Sequence, residues 1–119
     1  MVGSAYNAPV SRHDPTAHAE ILALREAAGR IGNYRLEGVT LYCTLEPCVM
    51  CAGAVLASGI ARLVFATFDP KAGACDTLYH ITNDGRLNHR AQVVGGVLAE
   101  ECSILLRDFF RAQRALGKK

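Results

Sequence analysis

No stretch of this chain stays apolar for the roughly 20 residues that a bilayer-spanning helix needs, so no membrane helix is expected. The opening MVGSAYNAPV lacks the charged start and apolar run of a secretory leader. Cysteines number five, and an odd count without a leader argues against a disulfide framework. Repeats, linkers and low-complexity tracts are missing as well. Charge of one sign is scarce: the formal net charge is +2, too small to select nucleic acid as a partner. These absences lead to the expectation of a soluble, cytoplasmic protein in a reducing compartment, with no membrane partner.

The composition that remains is globular, half hydrophobic and one-fifth charged over 119 residues, which predicts a single domain covering residues 1–119. Residues 1–15 are punctuated by Gly3, Asn7, Pro9 and Pro15 and read as irregular. Asp14-Pro15 reads as a helix start, with Gly29 as the stop. Val39–Leu45 and Arg62–Thr67 read as strands, with a small-residue helix from Cys48 to Ser58 between them and Gly59 ending it. Residues 68–90 read as loop with a short helix near Leu78, Gln92–Val97 as a third strand, and the segment from Ala99 as a last helix. In that helix Cys102, Leu105, Leu106, Phe109 and Leu116 recur at helical spacing. Alternation of this kind predicts an α/β fold in layers, with helices covering a sheet. The charge is uneven: Arg107, Arg111, Arg114, Lys118 and Lys119 crowd the C-terminal end, as a solvated helix face or as a phosphate-facing patch.

Two short motifs carry chemistry: His18-Ala19-Glu20 and Pro47-Cys48-Val49-Met50-Cys51. Cys48 and Cys51 are three apart on an expected first helical turn, so both sulfurs lie on one side. The helix N-terminus favours their thiolates. Alone, the pair fits a redox centre, half of a structural zinc site, or two core cysteines. His18 adds an imidazole, giving three protein ligands, and no second CxxC or HxxxH supplies a fourth. Three ligands plus a water is the pattern of a catalytic zinc, whereas structural sites are closed by four. Glu20 then supplies a proton carrier beside that water. Two residues apart on a helix, His18 and Glu20 diverge by roughly 200°. The metal must therefore sit off the helix N-terminal end, where both side chains converge.

HxE followed by PCxxC is the signature of zinc nucleobase deaminases, a pattern already described with its mechanism for that family. Beyond the signature, Arg12-His13-Asp14-Pro15-Thr16-Ala17-His18-Ala19-Glu20 resembles the bacterial tRNA-specific adenosine deaminases. So do Leu41-Tyr42, the run Thr44-Leu45-Glu46-Pro47-Cys48-Val49-Met50-Cys51-Ala52-Gly53-Ala54, Asn88-His89-Arg90 and Asp108-Phe109-Phe110-Arg111. The resemblance implies a three-layer α/β/α fold with a central mixed sheet. It implies one zinc per subunit on His18, Cys48 and Cys51, a water or hydroxide as fourth ligand, and Glu20 shuttling protons. The reaction implied is hydrolytic loss of the adenine C6 amine as ammonia, leaving inosine at the wobble position. Asn7, Asp69, Phe110 and Arg111 are the implied substrate contacts, the tRNA anticodon loop the implied partner, and a homodimer the implied assembly.

The family's fold begins with a helix and a hairpin before the asparagine segment, and this chain starts at about the end of that hairpin. The resemblance therefore implies that the strand at Val39–Leu45 lacks a neighbour, through a misplaced start, a fragment, or a gap filled by dimerisation. The chain alone is then expected to be less stable than an extended relative. Two other functions compete. One is a zinc deaminase of guanine, cytosine or a free nucleoside, with the same metal site. The other is a non-catalytic RNA-binding or partner subunit that keeps zinc for structure; the presence of Glu20 argues against it. A redox CxxC protein leaves His18 and Glu20 unexplained.

Overall fold

The computed structural model describes residues 1–117; Lys118 and Lys119, counted above in the basic cluster, lie outside the described residues. In chain order the elements are α1 (Pro9–Arg12), α2 (Ala19–Ile31), β1 (Thr40–Leu45), α3 (Val49–Ser58), β2 (Arg62–Thr67), a 3-10 turn (Ile81–Asn83), β3 (Gln92–Val94) and α4 (Ala99–Ala115).

The sheet has three strands in the order β1-β2-β3. β2 is central, and Leu63, Val64, Phe65 and Ala66 are all buried along it, as a strand covered on both faces requires. β1 lies beside it with Thr40 opposite Arg62 and Leu45 opposite Thr67. On one face Leu63, Phe65, Ala52, Ala74 and Cys75 form a core cluster, with Leu41 and Cys43 of β1 packed against it. The small residues of α3 allow that helix to lie close, and Ala52 and Val55 are fully buried. Leu24 and Ala27 of α2 join Val55, Leu36 and Ile60 in a second cluster. The other face carries α4, where Tyr42, Thr44, Val64 and Ala66 meet Val97, Leu98 and Cys102. The layered α/β architecture is thus as expected.

Several details differ from the expectations. The mixed sheet is purely parallel among the described residues, since both strand pairs are joined by crossovers rather than hairpins. β3 stops at Val94, short of Val97, and Gly95 beyond it passes so close to the Phe65 ring that a Cβ would come within 2.6 Å of Cζ. Residues 1–15 are not wholly irregular: Pro9 starts the single turn of α1. Helix α2 begins at Ala19, not at Pro15. Asp14 instead closes a local turn, its Oδ1 accepting from Thr16 N at 2.9 Å and from Thr16 Oγ1 at 2.7 Å. The helix runs past Gly29 to Ile31 and ends on Gly32 at φ 78°. The short helix foreseen near Leu78 is the 3-10 turn at Ile81–Asn83.

Helix α4 departs most. None of its residues is buried: Leu105 and Phe109 are 68% and 55% exposed, and Leu116, its C-cap, is 70% exposed. The first turn of α4 meets the sheet, where Thr67 Oγ1 donates to Ala99 O at 3.1 Å and Cys102 lies beside Tyr42 and Val64.

Candidate metal centre and active site

Two helix N-termini meet beyond the end of β1. Cys48 is the N-cap of α3, with an extended backbone at φ −76° and ψ 179°, and Cys51 lies in the first turn. His18 is the N-cap of α2, at φ −72° and ψ 150°, and Glu20 lies in that helix's first turn. The extended cap lets the His18 imidazole leave the helix axis toward the sulfurs. The conflict in helical phase between His18 and Glu20 is resolved in this way, off the helix end, as the spacing required.

The His18 Nδ1 atom lies 3.7 Å from Cys48 Sγ and 3.6 Å from Cys51 Sγ. The three ligand atoms all fall within 4.8 Å of one another, the one group of this kind among the described residues. Tetrahedral zinc, with bonds of about 2.3 Å to sulfur and about 2.0–2.1 Å to nitrogen, separates such a pair by about 3.6 Å. The donor set fits zinc in geometry and in softness.

Burial sets the state of the nearby thiols. Burial pushes the Cys51 thiol up, and the neighbouring Glu20 carboxylate and Cys48 push the same way. Burial raises the Cys43 thiol as well, again with Glu20 adding to the effect. Cys75, fully buried, is pushed up to about 11, first by burial. A divalent ion reverses this balance, because a coordinating thiol is deprotonated outright.

Asn7 reaches the site from 12 residues upstream of Ala19, its Oδ1 accepting the Ala19 N–H at 2.7 Å. His18 makes no side-chain cap bond, its ring being turned to the sulfurs, so Asn7 provides the cap from a distance. Asp69 is half-buried, and its Oδ1 accepts from Lys71 N at 2.9 Å and Ala72 N at 3.2 Å. Phe110 and Arg111 are not brought to the cluster by any hydrogen bond or ion pair among the described residues. Both are exposed on α4; Phe110 stacks edge-on with Phe109 at 5.4 Å, and Arg111 pairs with Asp108 at 3.8 Å. Core packing of Phe109 is thus not found.

Sequence reasoning passed over Glu46. This carboxylate is 2% exposed, yet it pairs with no cation among the described residues. Burial alone raises its pKa, but hydrogen bonds from the Thr77 side chain and from the backbone of Asp69, Thr77 and Asp76 outweigh that and hold it low. Its position directly before Pro47-Cys48 was the available signal.

The profile of the MafB19-like deaminases matches residues 1–114. A tRNA-specific adenosine deaminase of Haemophilus influenzae is 53% identical over 96% of this chain, which spans 66% of that relative. The Bacillus subtilis protein of the same name is 48% identical over 99% of this chain and 73% of its own length. A solved structure from studies of A-to-I editing by tRNA:A34 deaminases superposes with a TM-score of 0.82 at 36% identity, covering 87% of this chain and 75% of its own. A guanine deaminase from Nitrosomonas europaea superposes with a TM-score of 0.73 at 28% identity, over 88% of this chain and 63% of that one. By its motifs, its fold and these matches, the chain belongs to the deaminase family that includes the bacterial tRNA-specific adenosine deaminases.

Proposed function

We propose that residues 1–119 form one zinc-dependent deaminase domain that converts adenosine to inosine at the wobble position of tRNA. The observation that carries this is the convergence of His18, Cys48 and Cys51 within 4.8 Å of one another, beside Glu20, in a chain so similar to enzymes of that name. His18, Cys48 and Cys51 hold the zinc, one per chain. When bound, zinc supplies the acidity that makes a water nucleophilic near neutral pH. Glu20 takes a proton from that water and hands it to the departing amine, so that adenosine and water become inosine and ammonia. Asn7, with its amide N–H groups left over from capping α2, contacts the flipped nucleoside. Asp69 faces the RNA backbone, and Phe110 and Arg111 frame the anticodon loop. The protein acts as a homodimer in the cytoplasm. Among the described residues no helix is long and apolar enough to cross a membrane.

The test is inosine formation in an anticodon stem-loop with adenosine at the wobble position, using zinc-loaded protein and Glu20→Ala. Turnover is expected to fall 10²-fold or more in the variant, on the order of a general acid–base contribution, with zinc content unchanged. Turnover surviving in Glu20→Ala would remove Glu20 from the reaction. The guanine deaminase match makes free guanine the comparison substrate. Guanine consumed in place of the stem-loop adenosine would overturn the tRNA assignment and keep the deaminase one.

A further inference from the structure

The Glu46 carboxylate gathers a loop around itself. Its Oε1 accepts from Asp69 N at 3.0 Å and from the Thr77 hydroxyl. Its Oε2 accepts from Cys75 N at 3.1 Å, Asp76 N at 2.8 Å and Thr77 N at 2.9 Å. A buried carboxylate normally costs several kcal/mol unless charges or donors compensate it; here donors alone do so. Gly73 belongs to the same arrangement, because a Cβ there would collide with Oε1 of Glu46.

The loop held this way touches the metal-ligand turn directly. Ala74 N donates to Pro47 O at 3.0 Å, and Cys75 Sγ rests 3.8 Å from the same oxygen. Pro47 precedes the ligand Cys48 in the chain. On its other side, Glu46 N donates to Thr67 O at 2.8 Å, which ties the turn to the end of β2. One side chain thus joins the end of the central strand, the turn carrying Cys48, and the loop from Asp69 to Thr77.

We propose that Glu46 is a positioning residue whose carboxylate locks the Asp69–Thr77 loop against the Pro47–Cys48 turn, fixing a metal ligand from behind and Asp69 beside the substrate. The placement of Cys48 follows from this geometry alone. The role of Asp69 as a substrate wall rests on the function proposed above. Partners hydrogen-bonded to a metal ligand commonly change metal affinity or activity 10–100-fold when removed, and Glu46, which acts one step further out through Pro47, belongs at the lower end of that range.

Glu46→Gln keeps the shape but replaces one acceptor oxygen by a donor. The experiment compares it with wild type in amide hydrogen exchange and in zinc affinity by chelator competition. Faster exchange is expected at Asp69, Cys75, Asp76 and Thr77, with β2 and α3 unchanged. Zinc affinity is expected to fall by about tenfold or more. Thr77→Val removes one hydroxyl donor and keeps the charge, so it is expected to give a smaller shift of the same sign even if Glu46→Gln fails to fold. Wild-type loop protection and zinc affinity in both variants would overturn the proposal, as would a uniform loss of protection over the whole chain. Neither readout uses RNA, so an inactive wild type would count against the tRNA assignment and not against this role.

Discussion

His18 faces two demands at one position. As N-cap of α2 it would ordinarily turn an acceptor back onto the first amides, but its ring is directed at two sulfurs 3.6 and 3.7 Å away. Asn7 resolves the conflict by accepting the Ala19 N–H. The family resemblance pointed to Asn7 as a nucleoside contact, and the structure adds the capping role, which sequence spacing cannot show because the two residues are joined only through the fold. The two roles use different atoms, the oxygen for the helix and the amide N–H groups for a ligand. Asn7→Ala should therefore lose about 1 kcal/mol of stability, the usual cost of a missing cap, and also raise KM. Asn7→Asp should keep the melting temperature, since a carboxylate oxygen also caps, while still raising KM for the stem-loop. Equal KM in wild type and Asn7→Asp would leave Asn7 a helix cap and nothing more.

At the scale of elements, what was legible followed from local rules. β2 emerges with its expected bounds, and α3 starts one residue later than expected with Cys48 as its cap, because β-branched and aromatic residues mark one and a run of small residues ending at Gly59 marks the other. Asp14-Pro15 misled because the same two residues serve a turn as well as a helix start, and the Thr16 hydroxyl tips the balance toward the turn. The burial of Glu46 was illegible because its partners lie 23 to 31 residues downstream, and its place directly before Pro47-Cys48 was the one local mark. The apolar positions of α4 were seen, but not that they stay exposed, because helical spacing marks an apolar face and not what covers it. The helix also carries Arg107, Arg111 and Arg114, all exposed. Of these Arg111 alone has an acidic partner among the described residues, at 3.8 Å on a solvated surface where such a pair is worth little. These side chains are free to meet phosphate. Replacing each by Gln should weaken binding of the stem-loop with little regard to its sequence. It should also lower the slope of log K against log salt by about 0.7 to 1 per residue. An unchanged slope in the triple variant would return this helix face to solvent.

Seen as a whole, the molecule leaves two kinds of surface without a partner among the described residues. β1 lies at the edge of the sheet, with Tyr42 71% exposed. Along α4, Leu105 and Phe109 stand 68% and 55% exposed beside Ile104 and Phe110. Single exposed apolar side chains are ordinary, but α4 carries four of them between Ile104 and Phe110. Burying one such leucine between two copies contributes about 1.5–3 kcal/mol per side chain. A two-fold arrangement uses each side chain twice, so its loss is doubled. Sedimentation at micromolar concentration should therefore give the mass of two chains, and Leu105→Glu should shift the population toward one chain while leaving zinc content unchanged. If Leu105→Glu stays dimeric, α4 lies outside the contact and its apolar side chains face the RNA loop instead. Stem-loop affinity, and not mass, should then fall in that variant.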